Sequence, residues 1–149
     1  MMSINKIVIG NDHVGLNLFL ELKDYFKSKN IDIDHFGAFD FERINYPEVA
    51  FKVSESVALG KYSQGILICG TGLGMSLAAN KIKGVRAVTC NDPYSSKMAK
   101  NHNNANIICL GSRIIGLEMA KLILDNWFHA QFEGGRHKIR VNMIDNYED

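Results

Sequence analysis

The chain has 149 residues, 46% of them hydrophobic and 22% charged, with a formal net charge of +1. That size and balance fit one globular domain over 1–149 and exclude a disordered chain. A near-neutral charge without a basic stripe argues against nucleic acid as a partner, and no segment reaches the ~18 apolar residues of a membrane span.

In chain order, the opening MMSINKIVIG holds too short an apolar stretch for a secretion signal, and 6–10 within it reads as a buried strand. Residues 15–29 repeat apolar side chains at helical spacing, with Leu18, Leu22, Tyr25 and Phe26 on one side. Residues 31–36 (IDIDHF) alternate as a second strand. Pro47 opens a helix that Gly60 closes. The fully apolar run 65–69 predicts a third strand, followed by Gly70-Thr71-Gly72-Leu73-Gly74 and a short helix to about Lys81. Strands over 85–90 and 106–110 flank a helix from Pro93 to about His102. A helix over 115–128 and a charged terminal helix over 133–146 complete the chain. Strands alternating with helices predict a parallel sheet covered on both faces, the doubly wound α/β class.

The three cysteines Cys69, Cys90 and Cys109 are odd in number and stand at or near the ends of apolar runs. They read as reduced thiols, and the expected location is the cytoplasm. Ligands of open parallel sheets bind beyond the carboxyl ends of strands, where the strand order reverses. In the common order 2-1-3-4-5 that point lies between strands 1 and 3. The loops leaving those strands are Gly10-Asn11-Asp12-His13-Val14-Gly15 and the glycine loop after Cys69.

Three glycines in five residues allow a sharp turn, and amides at a helix N-terminus favour an anion. A tight strand-to-helix turn accounts for the same glycines. Cys69 ends a buried strand just before a helix, where thiols ionise more readily, although a small core side chain is the commoner fate of cysteine. Cys90 and Cys109 lack such a loop and read as core. Asp12 and His13 could hold hydroxyls and a phosphate, or form a surface turn. Without an HxxxH or CxxC pair, no metal is expected. His102 and Asn103 fall at the end of the helix that feeds strand 5, near the amino edge of the sheet. His102 either caps that helix or serves the Cys69 loop of a second subunit. Arg136 and Arg140 share a helix face after Gly134-Gly135 and suit a phosphate dianion, as a solvated basic face also would. Arg113, after strand 5, could join them, while His137 points to another side of its helix.

Together, Asp12-His13-Val14-Gly15, Tyr46-Pro47, Ile68-Cys69-Gly70-Thr71-Gly72-Leu73-Gly74, Asn80-Lys81, Gly84-Val85-Arg86-Ala87, His102-Asn103, Gly111-Ser112-Arg113 and Glu133-Gly134-Gly135-Arg136-His137 resemble the ribose-5-phosphate isomerase B family of sugar-phosphate isomerases over nearly the full chain. The resemblance implies a Rossmann-like three-layer α/β/α sandwich with a five-stranded parallel sheet and a C-terminal helix. It implies a homodimer or dimer of dimers with sites at the subunit interface, no cofactor and no metal. The implied reaction interconverts ribose 5-phosphate and ribulose 5-phosphate in the non-oxidative pentose phosphate pathway. By resemblance Cys69 is the proton-transferring base, His102 opens the furanose ring, and Thr71 lies near the reacting carbons. Asp12, His13, Tyr46, Asn103 and the loop Gly70, Thr71, Gly72, Leu73 and Gly74 match sugar-binding positions. His13, Arg113, Arg136 and Arg140 match phosphate-holding ones. Asn45 departs from the pattern, which has an acidic residue before Tyr46-Pro47. Allose 6-phosphate or galactose 6-phosphate as substrate, and a phosphate- or nucleotide-binding module without catalysis, are the alternative readings.

Overall fold

The computed structural model describes residues 6–147; residues 1–5, half of the segment read against a secretion signal, lie outside that range. Five strands, β1 (Lys6–Asn11), β2 (Asp32–Gly37), β3 (Gly65–Cys69), β4 (Ala87–Thr89) and β5 (Ile107–Gly111), form one parallel sheet. The helices are α1 (Leu16–Ser28), α2 (Tyr46–Ala58), α3 (Leu73–Ala79), α4 (Pro93–Asn101), α5 (Leu117–His129) and α6 (Arg136–Asp145). No helix among the described residues is long and apolar enough to cross a membrane.

The strand order is β2-β1-β3-β5-β4, not the expected 2-1-3-4-5. Both faces of a central strand are buried, so it must be apolar throughout, whereas an edge strand can be short. β5 (IICLG) is buried at every position, while β4 has three residues and only Ala87 is buried. β5 therefore takes the inner place. Right-handed crossovers then send the connections to opposite faces. Leu22, Phe26, Ala99, Ile123 and Trp127 from α1, α4 and α5 pack on one face with Ile7, Ile66 and Ile108. Val49 and Val53 from α2 and Met75 and Ala79 from α3 pack on the other with Val8, Leu67 and Cys109.

The terminal helix starts at Arg136, three residues later than expected. Gly134 and Gly135 both have positive φ and break the helix before it. Arg86 pins its far end with NH1 2.9 Å from Asp145. Apolar residues along α6 nonetheless stay in solvent, with Ile139 66% and Met143 70% exposed.

Candidate functional site

β1, β3 and β5 end side by side, and the loops leaving them converge. Cys69, the last residue of β3, is 5% exposed. The Gly72 amide donates to its Sγ at 3.1 Å, the contact that stabilises a thiolate. Gly72 can aim that amide because its φ is +78°, a left-handed conformation that glycine adopts without strain. Two glycine-loop amides are already engaged, since that of Leu73 donates to Thr71 Oγ1 at 3.3 Å. Thr71 is exposed at the top of the loop. The ring of Tyr46, from the start of α2, covers Gly74 so closely that a Cβ there would come within 2.6 Å of it.

The neighbouring strands complete this side. One Asp12 carboxylate oxygen accepts from the Gly15 amide at 2.9 Å, and the Asp12 amide donates to Ile68 O at 3.2 Å. His13 Nδ1 accepts from the Ile44 amide at 3.4 Å. The revised strand order matters here, because β5 as direct neighbour of β3 brings its loop onto Cys69. The Ser112 amide donates to Cys69 O at 2.8 Å, and the Arg113 amide donates to Gly70 O at 3.0 Å. The Arg113 side chain lies against Gly70. Asp12, His13, Tyr46, Cys69, Gly70, Thr71, Gly72, Leu73, Gly74 and Arg113 thus form one group at the carboxyl edge. Asn45 caps no amide with its side chain, and its Nδ2 donates to Glu48 at 3.2 Å.

The remaining residues lie at the other edge. Because α4 runs back against the strands, its C-terminal end delivers His102 and Asn103 to the amino edge of the sheet. The Glu133 amide donates to Asn101 O at 3.0 Å, which brings the start of α6 to the same place. His137 faces another side of α6 from Arg136 and Arg140, buried where they are exposed. Its ring stacks on His102, centroids 4.1 Å apart and planes 5° from parallel. Glu133 Oε2 lies 3.8 Å from His102 Nε2 and 3.6 Å from His137 Nε2. Burial lowers the His137 pKa, with the neighbouring His102, Arg136 and Arg140 adding to the shift and Glu133 opposing it. Arg136 and Arg140 stand exposed beside this cluster. His102, Glu133 and His137 are ligand types that can hold a metal, with ligand atoms within 4.8 Å of one another. The lone pairs of two parallel rings run side by side rather than toward a common point, so as they stand they suit proton exchange with Glu133 better than a shared ion.

Glu133 and His137 escaped the sequence reading. They are four residues apart within the helix expected over 133–146, but nothing in that spacing shows that both meet His102 at the end of α4. The two groups lie apart in the chain: the thiol, its loop and Arg113 are at one end of the sheet, and the paired imidazoles and two arginines at the other.

A family model described as Ribose/Galactose Isomerase matches residues 7–144. Ribose-5-phosphate isomerase B of Escherichia coli (strain K12) is 46% identical over 141 residues, 95% of either chain. D-erythrulose-4-phosphate isomerase of Pectobacterium atrosepticum is 41% identical over 144 residues, 95% of this chain and 94% of its own. The crystal structure of ribose-5-phosphate isomerase B from Mycoplasma genitalium with bound ribulose-5-phosphate superposes with a TM-score of 0.90 at 38% identity, covering 95% of each chain.

Proposed function

The chain belongs to the ribose/galactose isomerase family, and on that premise we propose that it interconverts D-ribose 5-phosphate and D-ribulose 5-phosphate through a cis-enediolate. The observation that carries this reading is the Cys69 sulfur, nearly buried at the end of β3 with the Gly72 amide donating to it beneath a glycine loop.

The aldose is mostly a closed ring, so the ring must open first. His102 gives a proton to the ring oxygen, a water molecule takes the proton of the anomeric hydroxyl, and His102 regains its proton from solvent, with Glu133 beside both imidazoles. The Cys69 thiolate then removes the C2 proton. The C–H electron pair forms the enediolate double bond and the C1 carbonyl oxygen becomes negative. Loop amides other than the engaged Gly72 and Leu73, with the Thr71 hydroxyl, hold that oxygen, and a single such donor lowers a barrier by roughly 3–4 kcal/mol. The same sulfur returns the proton to C1 while the C2 hydroxyl proton passes to the C1 oxygen, leaving the ketone at C2 and a hydroxyl at C1. Asp12, Tyr46 and Asn103 hold sugar hydroxyls. His13, Arg113, Arg136 and Arg140 hold the phosphate, whose binding energy orients the distant reacting carbons.

Since His102 and the Cys69 loop occupy opposite edges, the working site takes its two halves from two copies of the chain, as a homodimer or dimer of dimers. The exposed apolar side chains of α3 (Leu73, Leu77) and α6 (Ile139, Met143) supply surface for that contact. A cytoplasmic place in the non-oxidative pentose phosphate pathway follows from the substrate pair.

The relative named for D-erythrulose 4-phosphate supports a second reading, the same chemistry on a sugar one carbon shorter. Turnover measured side by side on ribose 5-phosphate, D-erythrulose 4-phosphate, allose 6-phosphate and galactose 6-phosphate separates the two. The highest kcat/KM is expected on ribose 5-phosphate. Turnover on none of the four would remove the enzymatic reading altogether.

A further inference from the structure

Asn11, the last residue of β1, is fully buried, and its side-chain amide is used on every side. Nδ2 donates to Asp12 O at 3.0 Å and to Ala38 O at 3.2 Å. Oδ1 meets His35 Nε2 at 2.5 Å. With the amide nitrogen facing two carbonyls, Oδ1 is the acceptor, so the His35 nitrogen facing it carries the proton. The His35 ring is fixed in turn, stacked on Phe19 with centroids 4.1 Å apart and met edge-on by Phe39. Without an N–H at that place, Oδ1 would be a buried acceptor with no partner, and the amide would be held by its two Nδ2 bonds alone.

The two carbonyls belong to the two segments that frame the carboxyl-edge group. Asp12 O is in the turn that carries Asp12 and His13. Ala38 O begins the loop that runs through Ile44, the donor to His13, to Tyr46 over Gly74. Beside the backbone bond from the Ala38 amide to Asn11 O at 2.9 Å, this side-chain amide ties the Asp12 turn to the loop that follows β2. We propose that Asn11 and His35 are positioning residues for the substrate: His35 orients the Asn11 amide, and Asn11 fixes the Asp12–His13 turn against the loop leading to Tyr46, which sets the grip on the sugar hydroxyls and the phosphate. This inference rests on the substrate site proposed above.

The test compares steady-state kinetics of the full-length protein with ribose 5-phosphate, well below each variant's thermal midpoint. His35→Phe keeps the stack on Phe19 and removes the N–H. Asn11→Ala removes the amide, and His35→Gln returns a donor. The expected result is a KM raised about tenfold in His35→Phe and Asn11→Ala with kcat changed less than about threefold, the signature of lost substrate binding. The double variant should be no worse than Asn11→Ala alone, because both act through one amide. His35→Gln should recover most of the wild-type KM. Asn11→Ser gives the same comparison if His35→Phe does not fold. A lowered thermal midpoint with unchanged KM in the folded variants overturns the positioning role and leaves the isomerase reading intact. Wild-type protein without turnover overturns both.

Discussion

Burial holds the Cys109 thiol well above its ordinary range and pushes that of Cys90 up to about 12, with Asp92 adding to the second shift. Both side chains lie within the packed core. Cys69 differs in having an amide on its sulfur and a loop above it. Cys69→Ala is expected to lower kcat by at least about a thousandfold while substrate binding, followed calorimetrically, stays within a few-fold of wild type. A variant that keeps a tenth of its turnover rules out the thiol as base. His102→Asn should slow conversion of ribose 5-phosphate much more than that of an open-chain substrate, and equal losses would exclude a ring-opening role. Lys100 offers a test of stability. Its ammonium is sunk over the Trp127 ring, 4.5 Å from the centroid, and burial lowers its pKa from 10.5 to about 8. Between those values the unfolded chain binds a proton that the folded chain does not. The stability lost to burying the charge is therefore fully lost below pH 8 and recovered as pH rises toward 10.5. Lys100→Met should stabilise the protein at pH 7 by about 1–2 kcal/mol, after allowing for the lost cation–π contact, and should flatten the rise in stability between pH 8 and 9. Cys90 acts in the opposite direction above its ordinary value of 9.0, so chemical denaturation below that pH gives the clean comparison.

At the scale of elements, the turn from β3 into α3 depends on Gly72. A Cβ there would combine positive φ with contacts of 3.0 Å to Thr89 and 3.2 Å to the β5 backbone. Gly72→Ala should cost about 1–3 kcal/mol, a fall of several degrees in thermal midpoint, and should reduce kcat because the amide on Cys69 moves with the turn. Scanning calorimetry and initial rates read the two effects separately. This turn was legible in the sequence, because an apolar run ending in Cys69 and followed by three glycines leaves little other geometry open. β4 was harder to bound. The run 85–90 carries Arg86 and Thr89 where β5 is apolar throughout, and only the sheet reveals that Ala87–Thr89 alone pair, at an edge. The order of β4 and β5 follows from which strand can bear burial on both faces, a property of packing rather than of local pattern. The stacking of His137 on His102 was not legible, because it depends on the Gly134-Gly135 break, whose two positive φ values set the direction of α6 at the end of α4. His102, by contrast, could be assigned to the amino edge from chain direction alone.

For the whole molecule, the division of the site between the two sheet edges gives a quantitative expectation. Cys69→Ala and His102→Asn homodimers each lack a working site. In a heterodimer of the two, one site loses both groups and the other keeps both. Mixing equal amounts under conditions that exchange subunits makes about half the dimers mixed, so about a quarter of wild-type activity should return. No recovery, with subunit exchange verified by native mass spectrometry, would place both groups in one chain's own site. The inward position of β5 also bears on how the protein is made. A ribosome delivers β1 to β4 before β5 exists, and the nascent chain then has β3 with an open edge and a three-residue β4 with no strand to pair with. The sheet closes only when a late segment inserts between two earlier ones. Until then an apolar edge stays exposed for as long as translation takes to reach Gly111, which makes the incomplete chain a natural client for chaperones and slow synthesis through 90–111 a hazard for its solubility.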